Sequence, residues 1–175
     1  MNERVFLADE ALRRFLLEEM GSLRRYAMSL TGSLEDADDV VQTTLEKVLA
    51  GGLPAEAPKA WLVRVCRNVW IDELRKRKVR DHDSYEEEGV EASRVADAEA
   101  LPVEQELAKE QQFQSISDAL EKLSEEHREI LSMVVVEGLS YAQAAEALEI
   151  PVGTVMSRVA RARTSLRTLL SEMTA

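Results

Sequence analysis

Apolar residues recur every three or four positions over most of the chain, the spacing of a helix face and not the alternation of a half-buried strand. Over Glu10–Leu30 the stripe is Leu12, Phe15, Leu16, Met20, Leu23, Ala27 and Leu30. Thr31-Gly32-Ser33 breaks it, and Ser33 is placed to cap a second helix with Asp36 three residues on. That helix, Leu34 to about Ala50, predicts an inner face of Ala37, Val40, Val41, Leu45, Val48 and Leu49. Gly51–Pro58 reads as a loop. A third helix, Lys59 to Lys78, buries Leu62, Val65, Cys66, Val69 and Leu74.

The pattern fails over Asp81–Pro102, an acidic stretch with few large apolar residues, and this reads as a linker. Four more helices follow. Val103–Lys122 buries Leu107, Ile116, Ala119 and Leu120, with Leu123 just beyond. Ser124 caps a short helix carrying Ile130, Leu131, Val134 and Val135, which Gly138 ends. Ser140 with Gln143 forms a capping box for Tyr141–Leu148. Ile150-Pro151 breaks the chain before Val152–Leu170, whose inward stripe is Val152, Val155, Val159, Ala162 and Leu166. The expected fold is all-α: a three-helix domain over 1–80, an acidic linker over 81–102 and a four-helix domain over 103–175.

Composition supports helices and narrows the chemistry. The chain has 175 residues, 45% hydrophobic and 31% charged, with 7 Gly and 4 Pro. No apolar run approaches the roughly 18 residues of a membrane span, no secretory leader is legible at Met1–Leu7, and the expected compartment is the cytoplasm. A lone Cys66 and the distant His82 and His127 offer no disulfide and no metal cluster. No nucleophile–base pairing or phosphate-binding glycine loop is present, so neither an enzyme nor a cofactor is expected.

The net charge of −11 argues against nucleic acid until it is divided along the chain. Residues 1–80 are near neutral, with 14 Lys/Arg against 13 Asp/Glu, while residues 81–111 hold 11 acids against 2 bases. Two stretches are locally basic. Lys59–Arg80 has eight Lys/Arg and two acids, and Pro151–Arg167 has four Arg and no acid. Local basic surface governs phosphate binding, and two modest patches predict weak DNA affinity for the chain alone.

Three constellations carry function. Leu139–Arg163 (LSYAQAAEALEIPVGTVMSRVARAR) has a short capped alanine-rich helix, a tight turn and a second helix, the pattern of a helix-turn-helix. On its second helix Thr154, Ser157, Arg158 and Arg161 share the side opposite the apolar stripe, where hydroxyls and guanidinium groups suit a DNA major groove. The competing reading is a solvated arginine face. Lys59–Arg80 combines Trp61 and Trp70 with a basic end, Arg75-Lys76-Arg77-Lys78-Arg80, which suits single-stranded nucleic acid. Core packing competes: it is the better reading of Trp61 and leaves Trp70 open. The third is the polar face Asp38, Asp39, Gln42, Thr43 and Glu46, which by itself reads as an ordinary solvated surface.

Together, DADDVVQTTLEKVL, KAWLVRVCRNVWIDELRKRK and LEKLSEEHREILSMVVVEGLSYAQAAEALEIPVGTVMSRVARAR, in that order, resemble an extracytoplasmic-function sigma factor, a small two-domain bacterial sigma factor. The segment PVGTVMSRVARAR is similar to the general-stress members of alphaproteobacteria. The resemblance implies sigma regions 2 and 4 and a promoter-specificity subunit of RNA polymerase. It implies that Asp39, Gln42, Thr43 and Glu46 dock on the β′ coiled coil of the core enzyme, and that the β flap is a second contact. It implies that the loop Gly51–Lys59, with Asn68, captures a flipped base of the −10 element, and that Lys59, Arg67, Arg75, Lys76 and Arg77 hold DNA there. It implies that Thr154, Ser157, Arg158 and Arg161 read the −35 element. Many members carry Lys where this chain has Met156, which removes one phosphate contact. An anti-sigma protein is the implied regulator, and Asp81–Pro102 the implied thread through a basic polymerase channel. A sigma-like decoy that sequesters an anti-sigma protein without touching DNA is the alternative. A stand-alone regulator with one DNA site would leave the first domain unexplained.

Overall fold

A computed structural model describes residues 5–81 and 118–174. Of the predicted linker Asp81–Pro102 only Asp81 is included, and the predicted helix Val103–Lys122 lies outside the described residues up to 117. Regular structure among the described residues is helical, apart from one isolated antiparallel bridge between Phe6 and Pro54.

Helix α1 (Asp9–Thr31) starts with Asp9 and Glu10 in its first turn, where acids favour the dipole. It stops at Gly32, whose φ of 69° lets its N–H close on the Met28 carbonyl. Leu12, Leu16, Leu23, Tyr26 and Ala27 are buried. The Ser33 hydroxyl then caps α2 (Leu34–Gly51), accepting from the Asp36 N–H as predicted. The inner face of α2 is Ala37, Val40, Val41, Thr44 and Val48. Leu49, expected inside, is exposed, because it sits one residue round from Val48; Thr44 takes the buried register and donates its hydroxyl to the Val40 carbonyl at 2.7 Å. Helix α3 (Pro58–Asp81) buries Ala60, Leu62, Val63, Cys66 and Val69, with Val65 and Leu74 only part-buried. These three helices pack on one another as a bundle.

In the second half, residues 118–121 form a helical turn, and Ala119 and Leu123 are buried. The Arg128 guanidinium donates to the carbonyls of Glu121 and Leu123, tying that turn to the next helix. Helix α4 (Glu125–Leu131) is capped by Ser124. It runs into a π-helical turn, Ser132–Val136, where the Glu137 N–H reaches back five residues to the Ser132 carbonyl. The wider turn shifts the helical phase. Met133 and Glu137 therefore point inward, Val134 is half-buried, and Val135, expected inside, is 65% exposed. Helix α5 (Tyr141–Leu148) has the complete capping box of Ser140 and Gln143. Glu149 ends α5 in the left-handed region at φ 56°, and α6 (Val152–Thr174) follows. Val155, Val159 and Ala162 of α6 are buried, Leu166 is partly so, and Val152, expected inside, is exposed at the helix start. Helix α6 packs on α4 and α5.

The two domains touch. Helix α1 packs on α4 and the π-helical turn, and α3 packs on α5.

Candidate nucleic-acid interface

Helices α2 and α3 enclose an open groove of about 600 Å³. Asp39, Gln42, Thr43 and Glu46 line one wall, and Arg75, Lys76 and Arg77 line the other. Gln42 donates to Glu46 at 3.1 Å, keeping the α2 wall ordered. Two predicted sets that are distant in sequence thus share one concavity. Among the described residues, Arg75 and Lys76 pair with Asp72 and Glu73 of their own helix, at 3.6 and 3.8 Å, and they stay largely exposed. Such pairs hold weakly, so both cations are available to phosphate. Arg77 is committed further: it donates to Asp36 at 3.0 Å and stacks 5.3 Å from the Trp70 ring centre. The bond to Asp36, foremost, raises its already high pKa. Arg77 is a strut between α2 and α3, and half-buried Trp70 is its platform.

Asn68 is exposed on α3. The loop before α3 has a feature that local sequence reasoning missed. The Leu7 N–H donates to the Leu53 carbonyl at 2.9 Å, and the Ala55 N–H to the Val5 carbonyl at 2.7 Å, so residues 5–7 run antiparallel to the loop and hold it. Gly52 is required there: its φ is 75°, and a Cβ would lie 3.0 Å from the Phe6 ring. The apolar run Val5-Phe6-Leu7 was too short a signal to find a partner some fifty positions away.

Lys59 and Arg67 face the second domain. Lys59 Nζ lies 2.8 Å from Glu19 and 3.7 Å from Glu137, and Arg67 Nε donates to Glu129 at 2.7 Å. Burial pushes the carboxyls of Glu129 and Glu137 up, against the opposing pull of Arg67 and Lys59.

On α6, Thr154 is half-buried, and Ser157 and Arg161 are exposed. Ser157 donates to the Thr154 carbonyl at 3.0 Å, and Arg161 donates back to the Ser157 carbonyl at 3.3 Å. Arg158 leans on α4 through Glu126 at 3.3 Å. Val152 and Met156, 43% and 55% exposed, add apolar contacts beside this polar row. Among the described residues there is no group of His, Cys, Asp and Glu suited to a metal, and no helix is long and apolar enough to cross a membrane.

A polar groove in one helical domain and a capped helix-turn-helix in the other are what a two-domain promoter reader needs. Residues 16–80 match the sigma-70 region 2 family and residues 113–166 the sigma-70 region 4 family. The chain is 36% identical to the ECF RNA polymerase sigma factor EcfG of Rhodopseudomonas palustris, over 92% of this chain and 86% of that one. It belongs to the ECF RNA polymerase sigma factors. The sigma factor is also 37% identical to SigL of Mycobacterium tuberculosis, over 95% of this chain and 93% of the relative. Among solved structures it is similar to RpoE of Bartonella quintana in complex with the anti-sigma factor NepR, with a TM-score of 0.71 and 34% identity over 91% of this chain and 96% of that one. CnrH in complex with the cytosolic domain of CnrY matches with a TM-score of 0.62 and 26% identity, over 94% of this chain and 90% of that one. An alphaproteobacterial type is consistent with these relatives. As a sigma factor it is a transcription initiation factor and not an enzyme.

Proposed function

We propose that this sigma factor grips core polymerase and promoter through separate faces of two domains, spanning 1–80 and 103–175. The α2 wall of the groove, Asp39, Gln42, Thr43 and Glu46, docks on the β′ coiled coil, and the second domain meets the β flap. The loop before α3, with Asn68, takes a flipped −10 base, which stabilises melted strands because the base is held on its pairing edge. Lys59, Arg67, Arg75 and Lys76 hold the neighbouring phosphates, and Arg77 shapes the groove that Arg75 and Lys76 line. Thr154, Ser157, Arg158 and Arg161 read the −35 element, with Val152 and Met156 against a thymine methyl. An anti-sigma protein restrains the factor in the cytoplasm.

The observation that supports this best is the shared groove. It sets the polar α2 wall beside the exposed, weakly paired cations Arg75 and Lys76 of α3, so one domain can hold the enzyme and the opened DNA side by side. Each DNA patch is small, so polymerase supplies most of the hold, and two tethered domains gain from effective concentration once one has docked. Asn68→Ala tests the assignment. Holoenzyme carrying it should bind promoter DNA nearly normally and open it poorly, with weak permanganate reactivity at −10 thymines. Normal reactivity would remove Asn68 from the site.

A further inference from the structure

Three carboxylates of the second domain reach across to cations of the first. Glu129 of α4 accepts from Arg67 at 2.7 Å. Glu137, at the end of the π-helical turn, lies 3.7 Å from Lys59 and accepts from the Ser22 hydroxyl at 3.1 Å. Glu149, at the end of α5, pairs with Arg64, whose guanidinium also lies over the Trp61 ring. We propose that this seam is a reversible intramolecular latch, in which carboxylates of the second domain occupy the nucleic-acid cations Lys59 and Arg67 and so make closure and −10 engagement mutually exclusive. The exclusion rests on the reading of Lys59 and Arg67 given above.

The chemistry favours competition. Glu129 and Glu137 offer Arg67 and Lys59 the same anionic oxygens that a DNA backbone offers, so phosphate can replace carboxylate without new recognition. The seam is also poised to open. Glu137 keeps only 2% of its side chain exposed, yet its second oxygen has no hydrogen-bond partner among the described residues. The Tyr26 hydroxyl, fully buried and electrostatically coupled to Glu129, Arg67 and Glu137, has none either. Opening the seam would hydrate the Glu137 oxygen that no described residue satisfies. Burial raises the pKa of Glu129 although Arg67 and Arg158 oppose the rise, and that of Glu137 although Lys59, Ser22 and Arg25 oppose it. Desolvation thus outweighs the attraction, as it often does for buried pairs. Glu149 holds a left-handed backbone conformation that glycine would adopt without strain, and its carboxylate is the one that meets Arg64.

Fluorescence transfer between dyes on the full chain tests the latch. Glu35→Cys and Thr168→Cys place labels on exposed positions, one in each domain. Buried Cys66, its thiol pushed up to about 12, does not compete for maleimide. Adding Glu129→Gln, Glu137→Gln and Glu149→Lys should lower transfer efficiency and tighten binding of a short mixed-sequence single-stranded DNA by roughly tenfold, the factor by which the competent fraction rises if about nine molecules in ten start closed. Unchanged efficiency with intact helical circular dichroism would overturn the latch. A fall in efficiency with no gain in DNA affinity would keep the latch and overturn Lys59 and Arg67 as nucleic-acid groups. Should the triple variant lose its helical signal, Arg64→Cys with Glu149→Cys, joined by a cleavable bis-maleimide, decides instead. With Lys59 and Arg67 held occupied, the locked chain should bind single-stranded DNA more weakly than the same chain after the linker is cut. Equal binding before and after cleavage would overturn the proposal.

Discussion

Arg158 and Arg161 stand three positions apart on α6 and are held differently. Arg161 is exposed and bonds back to its own helix through Ser157, while Arg158 is part-buried and braced by Glu126 of α4. A braced guanidinium presents a fixed fork to a base edge. Arg158→Ala should therefore weaken promoter binding by about 1–3 kcal/mol and relax base preference at one −35 position; competition binding of holoenzyme to single-base promoter variants checks both. Met156 makes a different prediction. If its exposed side chain meets a thymine methyl, replacing −35 thymines by deoxyuridine should weaken binding at one position for the parent and not for Met156→Ala. An equal deoxyuridine penalty in both would remove Met156 from the interface. The polar row of α6 was legible in the sequence from its spacing against the Val155, Val159, Ala162 stripe. The exposure of Val152 was not, because the first turn of a helix can project past the partner its later turns pack on.

Among elements, those with chemical punctuation were the easiest to read. Ser33, Ser140 with Gln143, and Gly138 each mark a boundary the structure keeps, because each satisfies a backbone group at that boundary or supplies a left-handed residue there. Ser140→Ala removes one side of a complete capping box at the start of the helix-turn-helix. It should cost about 1 kcal/mol, read as a lower urea midpoint with an unchanged slope. The π-helical turn after α4 left no local mark. It widens one turn so that Met133 and Glu137 reach inward, a demand set by helices α1 and α5 and invisible in a run of valines. The pairing of residues 5–7 with the loop before α3 was hidden for a related reason: its hydrogen bonds join segments that share no local pattern. That pairing shapes the loop assigned to base capture, so the groove walls were readable in advance and the loop's support was not. Thr44 shows the same limit on a smaller scale, since a hydroxyl that bonds to its own helix can occupy a core register which hydropathy assigns to leucine.

Across the whole molecule, charge decides the behaviour, and the sequence hid how. A net charge of −11 conceals two basic patches, and the seam between domains sets second-domain acids on first-domain bases. Glu129 faces Arg67, Arg158 and Glu126, and Glu137 faces Lys59, Ser22, Glu19 and Arg25. Both carboxyls are raised, so the native protein binds their protons more tightly than the unfolded chain does. Their contribution to stability is fully present below the ordinary carboxylate value and is lost as pH rises through the raised one. As pH rises above the ordinary carboxylate range, the melting temperature of the parent should fall more steeply than that of Glu129→Gln with Glu137→Gln; parallel curves would contradict this. The partnership with polymerase is the claim everything else serves. Purified chain and core enzyme, incubated with fragmented genomic DNA and nucleotides, should yield RNA 5′ ends that core alone does not make, with a common −35 and −10 pair upstream. A chain that binds core and gives only the transcripts of core alone would contradict the account.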